Sequence, residues 1–192
     1  MSPITHFLTG WAVANTARLG RRDRLLVTLA AVLPDADGLG VLLDLVRRNS
    51  ANAFEYYQRF HHVLFHNLFF GIALAIAALA IGARKRMAAG LVFLAFHLHL
   101  LEDIVGSRGL GDDFWSFPYL KPFSAYEFVW KGQWPLNGWQ NFIITGALMA
   151  LMFYLAWKRG QSPIAFVSTR ADAAFVQVLR DRFGAPAELH VS

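Results

Sequence analysis

The chain has no cysteine, which excludes disulfides and thiolate metal sites and leaves the redox compartment open. Charge is also scarce. Only 16% of the 192 residues are Asp, Glu, Lys or Arg, against 56% hydrophobic, and the mean hydropathy of +0.38 is unusual for a soluble domain. No internal repeat or low-complexity stretch divides the chain. The N-terminal stretch lacks a basic n-region and a small-residue cleavage site, so it does not read as a removable signal peptide. Any metal here is expected on nitrogen and oxygen ligands.

The cations that are present sit in particular places. Arg18, Arg21, Arg22 and Arg24, then Arg84-Lys85-Arg86, then Lys158-Arg159 each flank an apolar run. Basic flanks on hydrophobic segments are the positive-inside pattern of a membrane protein. They are not interleaved with exposed aromatics as on a nucleic-acid surface. The net charge of +5 therefore points to a lipid bilayer as partner and not to nucleic acid.

Taken in order, residues 5–19 read as a short helix and Leu25–Leu33 as a second, which Pro34 breaks. Both are too short to span and suggest a hairpin. Leu39–Val46 is a brief apolar piece, followed by a polar connection over 47–59. Val63–Ala83, Met87–Val105 and Trp139–Trp157 each have the length and composition of a membrane span. Residues 106–138, rich in Gly, Pro, Trp and Phe, read as an aromatic lid at the interface. Pro163–Ser168 reads as a strand and Asp172–Phe183 as an amphipathic helix. The expected fold is an all-α, membrane-embedded helical bundle with a short N-terminal hairpin, about three long spans and a small αβ tail. Its domains would be residues 1–159 and a tail of 160–192.

Ionisable groups inside such runs are costly unless paired or ligated. His99 and Asp103 are four residues apart on one helix face. His6 opens the first helix, Asp35 closes the second, His61 and His66 open the third, and His99 and Asp103 close the fourth. If consecutive helices run antiparallel, all of them meet at one end of the bundle and the basic clusters at the other. A cytoplasmic basic end would turn the site outward. His6, Asp35, His61, His66, His99 and Asp103 are thus the candidate metal ligands, a set suited to zinc and large enough for two ions sharing a carboxylate. Asp37, Asn67, Glu102 and Arg59 are candidates for orienting those ligands. His61 and His66 are five apart and His62 and His66 four apart, so either His61 or His62 is the ligand. His97 points away from His99 and reads as structural. Asp35 and Asp37 also suit a turn that caps the next helix.

With these residues in view, the chain resembles the membrane-bound metal-dependent hydrolase family of bacteria. The matching pieces are Thr5-His6 with Gly10, Leu33-Pro34-Asp35-Ala36-Asp37, His61-His62-Val63-Leu64-Phe65-His66-Asn67, His99-Leu100-Leu101-Glu102-Asp103 with Gly109, and Phe117-Pro118-Tyr119-Leu120-Lys121-Pro122-Phe123. The resemblance covers about residues 1–157. His61-His62-Val63 departs from the His-Arg-Gly common in the family, and Arg59 stands nearby. The resemblance implies a fold similar to zinc-dependent phospholipase C and single-strand nucleases. It also implies a hydrolase; the convergent His and Asp set beside the aromatic loop points to cleavage of a phosphodiester or another ester, in a lipid-linked or small-molecule substrate, by metal-activated water with Asp35 and Asp103 as the catalytic candidates. The localisation expected is the bacterial inner (cytoplasmic) membrane, multi-pass. A different class also accommodates the residues: a non-catalytic membrane protein whose helices are held by a structural metal or a hydrogen-bonded His/Asp cluster.

Overall fold

Helix α1 (Pro3–Ala14) starts where Ser2 Oγ accepts from Thr5 N at 3.2 Å and Pro3 takes the first helical position. It stops short of residue 19 because the Asn15 side chain turns back onto Trp11 O at 2.8 Å. After a turn, α2 (Arg21–Ala30) runs back along it. Gly10 makes this crossing possible: a Cβ there would lie 2.7 Å from Thr28 O and 2.8 Å from Ala31 Cβ. Small residues at such contacts are how helices approach closely in lipid. The computed structural model describes residues 1–47, 55–109, 111 and 113–186.

Pro34 ends the second helix as expected, and Leu33–Leu39 forms a 3-10 segment that leads into α3 (Gly40–Arg47). Most of the polar connection expected over 47–59 lies outside the described residues. Its described end forms α4 (Tyr56–Phe60), tied to α3 where Asp44 accepts from Tyr56 N and Tyr57 N, each at 2.8 Å.

The span expected over Val63–Ala83 is shorter than its composition suggests. Helix α5 covers only Leu68–Ile81, because Asn67 Oδ1 caps it by accepting from Phe70 N at 3.1 Å. Fourteen residues rise about 21 Å, less than a hydrocarbon core of about 30 Å. Residues 61–67 are instead a non-helical turn. Helices α6 (Lys85–Gly106) and α7 (Trp139–Arg159) are long and apolar enough to cross. A third crossing is open to α2 with Leu33–Arg47, which are bent by 53° at the break. The chain is therefore an all-α bundle with two or three candidate spans.

Helix α6 is the central element, packed against α5, α2 and α1. The buried core around it is small and apolar: Val13, Ala14, Val27, Ala30, Ala31, Ala78, Ala88, Val92 and Ala95. Gly71 lets α5 lie against Phe96, where a Cβ would come within 2.6 Å of the ring.

One end of the bundle is tied by the basic-flank residues. Asp23 accepts from Ala83 N at 2.7 Å and Arg84 N at 2.8 Å, Arg24 bonds Gln161, and Arg159 bonds Asn15 O. The sequence clusters at 18–24, 84–86 and 158–159 thus share one end, as the alternation of helix directions predicts.

The expected lid carries a two-residue hairpin, β1 (Ser116–Phe117) with β2 (Phe128–Val129). Gln133 fastens it by exchanging both hydrogen bonds with the Trp115 backbone, at 3.0 and 2.8 Å. Pro163–Phe166 is a 3-10 turn and not the expected strand, because Ser162 Oγ accepts from Ile164 N at 3.2 Å and Asp172 holds Ser162 in place. The amphipathic helix follows as α8 (Thr169–Phe183), which packs on α7 and on that turn.

Candidate metal centre

Four separate elements bring their polar groups to the end of the bundle opposite the basic flanks. Helix α1 supplies His6, the 3-10 segment Asp35 and Asp37, the 61–67 turn His61, His62 and His66, and α6 His99, Glu102 and Asp103. His6, His66 and His99 are fully buried and Asp103 nearly so. Asp35, with its side chain 18% exposed, is more open than Asp103.

Each buried histidine has its Nδ1 committed. His6 Nδ1 lies 2.7 Å from Glu102 Oε2, His66 Nδ1 3.2 Å from Asp37 Oδ2, and His99 Nδ1 2.9 Å from the carbonyl oxygen of Ala31. A carbonyl and a carboxylate can only accept, so every Nδ1 carries its proton and donates. Every neutral ring therefore turns an Nε2 lone pair inward. Glu102 is held in turn by the Thr9 hydroxyl, and Asp103 by the Ser107 hydroxyl at 3.0 Å and the Met1 ammonium.

The inward atoms form a tight acceptor set. His99 Nε2 lies 3.1 Å from His66 Nε2 and 3.1 Å from Asp103 Oδ2, while His6 Nε2 lies 3.1 Å from Asp103 Oδ1. Asp35 stands somewhat further off, at 3.8 Å from His99 Nε2 and 4.0 Å from His6 Nε2. His6 Nε2, Asp35 Oδ2 and Asp103 Oδ2 are buried without a hydrogen-bond partner, a costly condition for any polar atom. Donors about 2.0–2.2 Å from a tetrahedral zinc lie about 3.3 Å from each other. The observed spacing and the orphaned acceptors fit a cation.

Two donor groups can be drawn, sharing Asp35. One is His6, Asp35, His99 and Asp103; the other is Asp35, His62 and His66. His62, with a backbone φ of 68°, adopts a conformation unusual for a non-glycine residue and typical of strained functional positions. Burial and the neighbouring His66 and His61 push its pKa well down, keeping its imidazole neutral and able to ligate. At His6, burial works against the imidazolium, but the adjoining Asp103 carboxylate and the Glu102 hydrogen bond outweigh it and raise the pKa to about 9.

The remaining candidates separate. Between the His61/His62 alternatives, His62 falls in the second donor group, whereas His61 Nδ1 lies 2.9 Å from Asp37 Oδ1. Asp37 orients His66 and His61, and Glu102 orients His6. Asn67 orients no ligand: its side chain caps α5 and donates to Leu64 O at 2.8 Å. Arg59 sits exposed in the last turn of α4. His97, set apart from the cluster, bonds Phe93 O and Tyr119 Oη, each at 2.8 Å. Sequence reasoning passed over Thr9 and Ser107: Ser107 follows its partner Asp103 by one helical turn, whereas Thr9, three residues after His6, meets Glu102 only through the packing of α1 on α6. A cavity of about 760 Å³ opens onto the cluster, lined by Asp35, Tyr57, His62, Asp103, Asp113 and Trp115 among others.

Residues 1–179 match a family model described as YdjM inner membrane protein. No curated protein and no solved structure matches the chain.

Proposed function

The chain belongs to the YdjM inner membrane protein family, and from that premise we propose a membrane-bound metal-dependent hydrolase that cleaves a phosphodiester or another ester of a lipid-linked substrate. The supporting observation is the convergence of three Nε2 atoms and two carboxylates, in which His6 Nε2, Asp35 Oδ2 and Asp103 Oδ2 are buried without a hydrogen-bond partner. Such an arrangement in an apolar bundle is stable only around positive charge.

Zinc is the natural ion for this donor set, and two ions would divide it as His6, Asp35, His99 and Asp103 on one side and Asp35, His62 and His66 on the other. When bound, such ions polarise an ester oxygen and lower the pKa of water. The chain's own groups prepare the site. Glu102, Asp37 and the Ala31 carbonyl fix the three tautomers before any ligand arrives. Asp35 and Asp103 both line the cavity where an ester would enter, Asp35 as the more exposed of the two. All of these groups fall between residues 6 and 107, so the chemistry belongs to the 1–159 unit and 160–192 is accessory.

The test combines metal content with turnover. Purified protein, prepared without chelator and assayed by elemental analysis, should carry one to two equivalents of divalent metal and hydrolyse bis(p-nitrophenyl) phosphate. An H99A protein should keep its helicity by circular dichroism, lose turnover and carry less metal than the wild type. Metal without turnover on any phosphate or carboxylate ester would favour a structural ion, and less than half an equivalent of metal would end the proposal.

A further inference from the structure

Arg108 follows directly after Ser107, whose hydroxyl holds Asp103. Its backbone is pinned on both sides, donating to Trp134 O at 3.2 Å and accepting from Leu136 N at 2.9 Å. Its side chain has no such anchor. The guanidinium carbon lies 5.8 Å from the Phe114 ring centroid, Nε is buried without a hydrogen-bond partner, and no carboxylate among the described residues lies within ion-pair distance. A guanidinium fork on a fixed backbone, without a carboxylate partner among the described residues, is a ready partner for a phosphate or carboxylate.

Arg108 also lines a second cavity, of about 700 Å³, between the start of α1 and the first turns of α7. Its walls include Ile4, Phe142 and Thr145, and it shares Met1, Pro3, Gly109 and Leu136 with the cavity over the metal centre. The two cavities are therefore neighbours, meeting at these four residues. Phe142 is 71% exposed on a spanning helix, so the second cavity opens toward lipid. Outward from the histidine cluster lie acidic donors suited to a cation, then a guanidinium without an ion-pair partner among the described residues, then an apolar groove that faces the hydrocarbon.

We propose that Arg108 and the α1–α7 groove select an anionic amphiphile, with its phosphate held between Arg108 and the metal centre and its alkyl chain lying along Ile4 and Phe142. This rests on the metal-dependent reading above and names the substrate class: a single-headed phosphate ester of a long apolar alcohol, delivered from the bilayer. The apolar groove by itself would accept any chain. The charge of Arg108 at its inner end is what restricts the headgroup.

The experiment titrates the zinc-loaded, full-length protein with inorganic phosphate, butyl phosphate and dodecyl phosphate by calorimetry. Using one micelle throughout lets partition cancel between variants. Dodecyl phosphate should bind at least tenfold more tightly than butyl phosphate. R108Q should weaken dodecyl phosphate about tenfold with zinc content unchanged, R108K should fall between, and F142A should reduce the advantage of dodecyl over butyl without affecting inorganic phosphate. Equal affinities in wild type and R108Q at equal zinc content would overturn the proposal, as would loss of zinc from R108Q, which would make the arginine structural. Failure of the wild type to take up zinc would instead refute the metal reading and is read separately, by elemental analysis before titration.

Discussion

His66 and His99 face each other nitrogen to nitrogen, Nε2 to Nε2 at 3.1 Å. Both rings keep their Nδ1 proton and donate it in a hydrogen bond, to Asp37 and to the Ala31 carbonyl. Two neutral rings in this arrangement would oppose lone pair to lone pair, so the contact is stable only with a proton or a cation between or beside them.

The first prediction concerns that contact. Replacing Asp35, which belongs to both donor groups, should remove more metal than replacing any single histidine. A D35N protein is expected to bind less than half an equivalent where H66A or H6A retains a residual ion. Plasma emission spectrometry on dialysed protein reads this directly.

Glu102 touches no inward donor and acts only through His6 Nδ1. A carboxylate in this position raises the basicity of its histidine and fixes the ring. E102Q should therefore lower zinc affinity about 10- to 100-fold without abolishing it. Competition with a fluorescent zinc chelator measures the shift. E102D, which keeps the charge, should recover part of the loss.

Protons compete with metal at His6. Its pKa in the metal-free fold is about 9 against an ordinary 6.5, raised by Asp103 and Glu102 in spite of burial. A raised pKa contributes stability that is complete below pH 6.5 and is lost as pH rises through 9. Metal-stripped protein should therefore melt at progressively lower temperature across that window. Zinc-loaded protein should not, because the ion replaces the proton. Thermal unfolding in the same detergent at pH 6, 7.5 and 9 compares the two.

Gly10 sits where α1 crosses α2, with no room for a Cβ beside Thr28 O. G10V should destabilise the fold by about 1–3 kcal/mol through overpacking. It should also shift His6, one turn earlier on the same helix, and so weaken metal binding. A reduced melting temperature in the stripped protein, with a further loss of zinc affinity, is the expected result.

How much of the site could be read in advance depended on the residue. His6, Asp35, His66, His99 and Asp103 were legible because they stand at alternate helix ends, and antiparallel packing leaves them one place to go. Glu102 and Asp37 were legible as carboxylates next to that set. His62 was open against His61, because the choice turns on a positive φ that no local pattern encodes. Asn67, a candidate from its place beside His66 in sequence, spends its side chain on the cap of α5 and on Leu64 O, a use that sequence proximity hides. The Ala31 carbonyl that orients His99 was invisible, since every residue has a carbonyl and only packing decides which one a histidine meets.

The sequence by itself determined the apolar runs, their basic flanks and the ends at which ionisable groups sit, because hydrophobic length and helix periodicity are local properties. Tertiary structure decided that Val63–Ala83 yields a helix only from Leu68, that Ser162 and Pro163 begin a turn where a strand was expected, and which nitrogen of each histidine faces inward. Those outcomes depend on partners far away in the chain, such as Asp172 for Ser162 and Glu102 for His6. Only the folded bundle brings these partners within hydrogen-bonding distance.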